Sequence, residues 1–279
     1  QRIQKKKDIG ITNALAFAAN RALVEAMRDG DRAAAAETLA RIGDIYRKNS
    51  NFKGIRVHLH DAQMRSFVRS WDLDRHGDDL AAVRPGIVQV NREKRGMVTL
   101  ELGKAGLFIR GIVPVFDDDT FIGTLEFLQG VGSVSRDFEN EERFYLMLLN
   151  DRALQVAKKA ANNKPVGDFV VLNNKYFSEP TLAFARSLDY SELLDTGHVA
   201  NAQFFATYLP VTDLQGDVVG YHIVGEPIGV LQARLAESRE VTISYLILIA
   251  LMTLFTVVGV FYGLNRLVLR PIDGIKRGL

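Results

Sequence analysis

Two charged residues fall inside apolar, strand-like segments of the chain. Arg110 lies in Leu107–Phe116 and Glu126 lies in Phe121–Gln129, where most neighbouring residues are apolar. A buried charge costs several kcal/mol unless it is paired or bound to a ligand. We therefore predict a binding site here, in which the arginine holds a carboxylate and the glutamate neutralises an amine.

An arginine and a tryptophan two residues apart favour the same chemistry. Strand alternation places Arg69 on one side with Trp71 and Phe67, and it places Phe108 beside Arg110. A guanidinium presents a planar fork to a carboxylate, and the indole N–H adds one donor. The predicted ligand-binding residues are Arg69, Trp71, Arg110, Glu126, Phe108, His60 and Glu101.

These residues also allow a purely structural interpretation. Arg69, Arg110 and Glu126 could form an internal ion-pair network that stabilises the sheet, and Trp71 could be a plain core residue. The sequence leaves both interpretations open.

Two histidines, His58 and His60, form an H-x-H pair whose imidazoles lie on one face of a strand. Some zinc sites use this arrangement, with a third ligand such as Glu101. The alternatives are two satisfied histidines or a pH-sensitive rim of the pocket. We predict no cofactor, and metal binding by this pair is an alternative hypothesis.

Enzymatic and nucleic-acid-binding functions find little support. The chain has no cysteine, so it has no disulfide, thiolate zinc site or thiol catalysis. Motifs such as G-x-S-x-G, the P-loop and H-E-x-x-H are missing. The formal net charge is only +2, which gives no overall nucleic-acid footprint. We predict neither catalysis nor a nucleic-acid partner.

The periodicity predicts helices followed by strands. Two helical segments, from Ile3 to Arg28 and from Arg32 to Lys48, are separated by Gly30 and Asp31. Alternation then predicts five strands of one antiparallel sheet: Ile55–Asp61, Ser66–Asp72, Met97–Leu102, Leu107–Phe116 and Phe121–Gln129. Asp78 and Asp79 are expected to cap a helix. A further helix is predicted over Phe138–Ala161, before strands at Phe169–Leu172, Phe204–Val211 and Val218–Val224.

A hairpin pattern occurs twice. Pro114, Val115, Asp117, Phe121, Ile122 and Gly123 correspond to Pro210, Val211, Asp213, Val218, Val219 and Gly220, with one additional residue in the second turn. The repeat predicts two tandem modules. In this alignment Arg110 corresponds to Ala206 and Glu126 to Ile223, so the first module holds the charges and is the predicted binding module.

An uncharged stretch, Thr242–Asn265, is long enough to cross a bilayer. Its roughly 24 residues span about 36 Å as a helix, against a hydrocarbon core of about 30 Å. The residues after it carry four basic side chains and one acidic one, which places them on the cytoplasmic side. Residues 1–240 are then predicted to be periplasmic, and residues 266–279 cytoplasmic, in a protein of the inner membrane.

Together these patterns resemble the double Cache sensory domains of bacterial transmembrane receptors. The resemblance is carried by IRVHLHD, SFVRSWD, GLFIRGIVPVF and FIGTLEFLQG, and it covers roughly Ile3–Gly229. The pair Arg69 and Trp71 is similar to part of the amino-acid-sensing Cache motif, although Asp72 stands where that motif has a tyrosine. The tail RLVLRPIDGIKRGL, with Pro271, resembles the start of a HAMP linker.

The resemblance implies an α+β fold: a long N-terminal stalk helix, two tandem PAS-like modules of antiparallel sheet, and one transmembrane helix. The expected divisions are stalk helices over 1–50, a membrane-distal module over 51–135, a membrane-proximal module over 136–232, a linker and transmembrane helix over 233–265, and the HAMP start over 266–279.

The implied function is sensing of a small carboxylate or amino-acid-like ligand, with signalling across the membrane, in a receptor of the chemoreceptor type. Alternatives are the sensor of a diguanylate cyclase or histidine kinase, a metal sensor, or a domain that binds a periplasmic protein. A homodimer along the first helix is expected, because Ile11, Leu15, Ala18 and Ala22 form an apolar face. That face could instead pack on the chain's own sheet.

Overall fold

The computed structural model describes residues 1–51, 54–104, 106–172 and 178–269. The chain divides into two compact units, Gln1–Glu226 and Pro227–Leu279. The first unit contains all the buried hydrophobic residues that the structure describes, and these form the cores presented below.

Three helices occupy the first fifty residues: α1 (Arg2–Ala18), α2 (Arg21–Arg28) and α3 (Arg32–Asn49). The sequence predicts one joint, near residue 30, and the structure has a second one before α2. There the side chain of Asn20 accepts the N–H of Leu23, and Asp31 accepts the N–H of Ala34 in the same way. Each capping side chain satisfies a donor that the helix itself leaves free, which fixes where the helix starts.

The first sheet contains five strands: β1 (Arg56–Asp61), β2 (Ser66–Arg69), β3 (Met97–Gly103), β4 (Gly106–Asp117) and β5 (Thr120–Gln129). Their order is β2-β1-β5-β4-β3, and the paired neighbours run antiparallel. The predicted five-stranded antiparallel sheet is therefore confirmed. Helix α4 (Pro85–Glu93) lies between β2 and β3 in the chain.

The two faces of this sheet meet different elements. On one face, alternate strand residues such as Val57, Leu59 and Phe127 pack against α1, α2 and α3 in one apolar core. On the other face, Ile112 packs with Ile87 and Val90 of α4. Period-2 alternation thus separates a face for the N-terminal helices from a face covered by α4.

Helix α1 crosses the sheet at very close range. A Cβ atom on Gly111 would lie 2.4 Å from the carbonyl oxygen of Gly10, and one on Gly10 would lie 2.9 Å from Nε2 of Gln129. Ile11 and Ala18 pack against the same core, whereas Leu15 is 54% exposed. Part of the face proposed for dimerisation therefore packs on the chain's own sheet.

The second sheet has six strands: β6 (Phe144–Leu149), β7 (Pro165–Val166), β8 (Phe169–Val171), β9 (His198–Ala200), β10 (Phe204–Thr212) and β11 (Val218–Pro227). Their order is β7-β8-β6-β11-β10-β9. The helices of this region are α5 (Gly132–Glu139), α6 (Asp151–Val156), α7 (Glu179–Ser187) and α8 (Tyr190–Thr196).

The helix predicted over Phe138–Ala161 is wrong. The segment contains the end of α5, then β6, all of whose residues are buried, then the short helix α6 and a 3-10 turn at Ala160–Asn162. A strand buried on both faces shows no alternation, so a short apolar run cannot be distinguished from a buried helix by periodicity.

The repeated hairpins have equivalent roles in the two sheets. Gly123 lies in β5 and Gly220 in β11, and a Cβ atom on either would lie 2.0 Å from a backbone oxygen of the next strand. The oxygen belongs to His60 of β1 in the first case and to Leu148 of β6 in the second. The repeated glycine therefore allows a close approach between neighbouring strands in both sheets, of β5 to β1 in the first and of β11 to β6 in the second.

As far as residue 269, the second unit consists of one long helix, α9 (Ile228–Leu264), followed by a π-helical turn over Asn265–Leu269. By length and composition the helix can cross a membrane, since the mean hydropathy of its most apolar window is 2.4 and none of that window is buried. Hydroxyls of Thr253 and Thr256 donate to carbonyls one turn earlier, which satisfies them without water. Most of the predicted HAMP start, from residue 270 onward, lies outside the described residues.

We expect Gly220→Ala to lower the free energy of unfolding by about 1–3 kcal/mol, as overpacking of a tight interior does. The added methyl group would collide with the carbonyl of Leu148, so β6 and β11 must separate. Gly130→Ala is the matched control, because nothing lies within 4 Å of its Cβ position. Urea denaturation of a soluble 1–226 fragment measures both variants, and equal stabilities would contradict the proposed strand contact.

His222 gives the second module a pH-dependent stability. Its Nδ1 lies 2.8 Å from the hydroxyl of Tyr145, and burial, with a smaller effect of Lys7, lowers its pKa from 6.5 to about 4. Above pH 6.5 the imidazole is neutral in both the folded and the unfolded chain. As the pH falls towards 4 only the unfolded chain takes up the proton, so the folded state loses stability.

In urea titrations from about pH 7 to about pH 4, the stability advantage of the wild type over His222→Asn should therefore shrink. The expected decrease is up to about 3 kcal/mol, the equivalent of the pKa difference. Stability curves of wild type and variant that stay parallel over this range would contradict the assignment.

Candidate functional site

The face of the first sheet that α4 covers is polar at its centre. Strand residues with buried polar side chains on this face include His58, His60, Arg69, Glu101, Arg110 and Glu126. His58 pairs across the strands with both Arg69 and Glu126, which sets these three side by side. The structure thus brings together most of the residues that the sequence predicts for a site.

Glu126 is the centre of an ion-pair cluster and is completely buried. Nη1 of Arg110 donates to its Oε1 at 2.7 Å, and Nη2 of Arg84 donates to the same oxygen. Arg84 also donates to Oε2 of Glu101, from Nε at 3.2 Å and from Nη2 at 3.1 Å. Nε of Arg110 lies 3.7 Å from this oxygen of Glu101. Two guanidiniums therefore balance two carboxylates in the interior.

The arginines keep Glu126 ionised. Burial alone would raise the pKa of its carboxyl, but the charges of Arg110 and Arg84 outweigh burial and hold this pKa well below its usual range. A buried carboxylate is retained only with such partners, since a lone charge in the interior would take up a proton instead.

His58 and His60 present neutral imidazoles to the same carboxylate. Burial lowers the pKa of His58 to about 4, and burial together with His58 lowers that of His60 well below its ordinary value. Nε2 of His58 lies 2.8 Å from the hydroxyl of Ser66, and Nδ1 of His60 lies 2.9 Å from that of Thr124. The remaining nitrogen of each ring faces Glu126.

The sequence prediction missed Arg84. This residue is 8% exposed and directly precedes Pro85, the first residue of α4. Strand alternation could not identify it, because it lies outside any strand. One sequence feature could have indicated it: Glu101 and Glu126 both fall on buried strands. Two buried carboxylates require a second cation besides Arg110.

Arg69 and Trp71 do not form one joint binding unit. Both terminal nitrogens of Arg69 bind Asp78, at 2.8 and 2.7 Å, so the guanidinium fork already holds a carboxylate. β2 ends at Arg69, and Trp71 lies beyond it with 41% of its surface exposed, edge-on to the ring of His58 at 5.8 Å. The expectation that Asp78 caps a helix is wrong, since α4 begins only at Pro85.

Phe108 and Phe67 occupy different faces of the sheet. The guanidinium of Arg110 lies 5.5 Å from the ring centre of Phe108, as the alternation predicts. Phe67 instead packs against the core on the side of the N-terminal helices. The reason is a register shift between Leu59 and His60, which breaks the alternation of β2 opposite them.

Among the described residues of the second module there is no equivalent of this charge cluster. Ala206 and Ile223, the counterparts of Arg110 and Glu126, are completely buried in an apolar core. The predicted charge asymmetry between the modules is therefore present in the folded chain, and it singles out the first module as the candidate site.

Several solved structures resemble the chain at low sequence identity. The sensor domain of the histidine kinase DctB from Vibrio cholerae is 13% identical, with 81% of this chain and 91% of that chain covered and a TM-score of 0.47. The Campylobacter jejuni chemoreceptor Tlp3 domain, in complex with 4-methylisoleucine, is 11% identical over 81% and 84%, with a TM-score of 0.44. The Pseudomonas aeruginosa amino-acid chemoreceptor PctC domain, in complex with GABA, is 15% identical over 80% and 89%, with a TM-score of 0.40.

No curated protein has a matching sequence. The family is established by a family model, whose description reads "Double sensory domain of two-component sensor kinase" and which matches residues 1–231. This match covers both sheets and the three N-terminal helices. The chain therefore belongs to this family of double Cache (dCache_3) sensory domains.

Proposed function

We propose that the chain is the ligand-sensing part of a transmembrane receptor and that its first module binds a small carboxylate or amino-acid-like ligand. The observation that carries the proposal is the pair of buried arginines on the face under α4. In the described part of the chain, Nη1 of Arg84 and Nη2 of Arg110 make no hydrogen bond, although the other nitrogens of both side chains do.

Two unused guanidinium donors on largely buried side chains favour a carboxylate. Charge-assisted hydrogen bonds are roughly twice as strong as neutral ones, and low local polarity strengthens them further. The charges of the two arginines and two glutamates cancel before binding. A ligand carboxylate adds one negative charge, which one further cation must neutralise. An amino-acid-like ligand brings its own ammonium group, for which Oε2 of Glu126 is an acceptor without a hydrogen-bond partner in the described chain.

The proposed topology places residues 1–240 in the periplasm, the part of α9 from Thr242 onward in the inner membrane and the residues from 266 in the cytoplasm. The basic residues after the apolar stretch support this orientation. α9 starts at Ile228, the residue after β11 ends, and continues without interruption to Leu264. A ligand that binds two arrangements of the modules with different affinity can thus bias a helix that continues into the membrane.

The output class and the assembly are further parts of the proposal. The family description favours a two-component sensor kinase, and a chemoreceptor remains the other candidate. A homodimer along α1 is supported by the exposed side chains of Ile9 and Leu15. A periplasmic binding protein is a further candidate partner.

We expect a thermal-shift screen of the 1–226 fragment to find stabilisation by one class of small carboxylates or amino acids. Binding at a hundredfold excess over Kd stabilises by about 2.7 kcal/mol, which a melting curve resolves readily. Arg110→Lys should abolish this shift, because an ammonium keeps the charge but lacks the fork. Arg92→Lys is the control, since Arg92 is exposed on α4 and pairs only with Glu93 in the described chain.

The same measurement separates the ligand site from a purely structural network. A ligand shift of equal size in Arg110→Lys and in the wild type would contradict the proposed site. If Arg110→Lys fails to fold by near-ultraviolet circular dichroism, Arg84→Lys takes its place. A screen without any hit, together with a large loss of stability in both variants, would favour the ion-pair network.

A further inference from the structure

Three buried side chains of the first module converge on one point. His58, His60 and Glu126 each turn one ligand atom towards it, and these atoms all lie within 4.8 Å of one another. Nδ1 of His58 lies 3.6 Å from Oε2 of Glu126, and Nε2 of His60 lies 3.9 Å from the same oxygen. None of the three residues exposes more than 2% of its surface.

Two of these atoms are unsatisfied. Nε2 of His60 and Oε2 of Glu126 are buried and have no hydrogen-bond partner in the described chain. Native proteins leave few buried polar atoms without partners, because each loses its hydration without compensation. Two such atoms 3.9 Å apart therefore require an explanation.

The second atom of each group is already held. Ser66 binds Nε2 of His58, and Thr124 binds Nδ1 of His60, while Oε1 of Glu126 accepts from both arginines. If each hydroxyl accepts a ring N–H, the other ring nitrogen carries a lone pair directed at the shared point. Outer hydrogen bonds of this kind orient the ligands in metal centres.

The spacing is close to that of a tetrahedral centre. With bonds of about 2.0–2.1 Å, two ligand atoms of a tetrahedral zinc ion are about 3.3 Å apart. The separations of 3.6 and 3.9 Å from Oε2 of Glu126 exceed this by a few tenths of an ångström, and the two ring nitrogens lie within 4.8 Å of each other, so the side chains must rotate towards an ion to bind it. Hydrogen bonding cannot satisfy both orphan atoms at such distances.

We propose that His58, His60 and Glu126 bind a divalent transition-metal ion of the zinc class. Two imidazole nitrogens and one carboxylate oxygen suit Zn²⁺, Ni²⁺ and Cu²⁺, whereas Mg²⁺ and Ca²⁺ prefer oxygen ligands alone. The third ligand is Glu126 rather than Glu101, which the sequence suggests. Oε2 of Glu126 has no hydrogen-bond partner in the described chain and faces both histidines, whereas one oxygen of Glu101 accepts from Arg84 and the other from the backbone N–H of Gly86.

The charge balance determines what completes the site. Arg84 and Arg110 neutralise Glu101 and Glu126, so a divalent ion adds two positive charges to the cluster. Three protein ligands leave a fourth position, and hydroxide or another small anion there reduces this excess. The metal site goes beyond the proposed carboxylate sensing and does not depend on it, but it uses the same oxygen, Oε2 of Glu126, that the ammonium group of an amino-acid-like ligand would use.

The test uses the whole chain in detergent, without a histidine tag, stripped with EDTA and desalted. When Zn²⁺ is added back and the excess is removed by dialysis, we expect the protein to retain one equivalent of Zn²⁺. We also expect its melting temperature to be higher with Zn²⁺ than with Mg²⁺. Trp71 provides a local signal, because it is the chain's one tryptophan and its ring lies 5.8 Å from that of His58. Stoichiometric Cu²⁺ should therefore quench its fluorescence.

The variants are chosen to keep the outer hydrogen bonds. His60→Asn places an amide where Nδ1 meets Thr124 and removes only the ligand nitrogen, and His58→Gln does the same for the bond to Ser66. Either change should weaken Zn²⁺ binding by at least about tenfold, since even outer partners contribute that much. His222→Asn is the matched control, a mostly buried histidine bonded to Tyr145 in the other module, and should bind like the wild type.

Equal zinc retention by the wild type, His60→Asn and His58→Gln would overturn the proposal, and so would a wild type that retains no zinc. Near-ultraviolet circular dichroism shows whether each variant is folded, and either folded variant suffices for the comparison. Running the carboxylate screen in EDTA separates the two proposals. A carboxylate response without zinc binding removes only the metal site, and zinc binding without a carboxylate response removes only the proposed ligand class.

Discussion

The buried carboxylate of Glu126 is the constraint on which the first module depends. It is fully enclosed, so it must either be ionised and paired with cations or be protonated. The charges of Arg110 and Arg84 keep it ionised. Arg84 immediately precedes α4, whose apolar residues cover the same face of the sheet. Removing one partner from a buried ion pair typically costs about 3–5 kcal/mol. The position of α4 is therefore coupled to the charge state of the cluster.

The other face of the sheet gives this cluster a route to the N-terminal helices. Arg110 and Gly111 are neighbours in β4, and alternation turns the first towards Glu126 and the second towards α1. Gly111 approaches the backbone of Gly10 so closely that no side chain fits between them. If binding at Arg110 were to shift β4, the strand would therefore have to press against α1 or carry α1 with it. Tightly packed contacts of this kind transmit displacement because they cannot absorb it.

Alternation explains why so much of the first module could be predicted and why part of the site could not. β1, β4 and β5 interleave apolar residues with polar or charged ones, so the sequence revealed their bounds to within one residue and the inward charges Arg110 and Glu126. Arg84 and Asp78 escaped prediction because they lie in irregular chain, where position depends on tertiary contacts. β6 was mistaken for a helix because both of its faces are buried. The partner of Arg69 was missed because Asp78 belongs to a turn segment rather than to the neighbouring strand.

The comparison of the two modules separates architecture from chemistry. Gly123 and Gly220 perform the same task in both sheets, so the repeat preserves strand packing. At the positions of Arg110 and Glu126 the second module has Ala206 and Ile223, whose burial needs no partner. An apolar core tolerates no ligand-dependent charge, whereas a balanced cluster with unused donors and orphan acceptors responds to any ion that enters it. The charged interior of the first module thus depends on its ion-pair partners, whereas the apolar interior of the second, from which the chain passes into α9, does not.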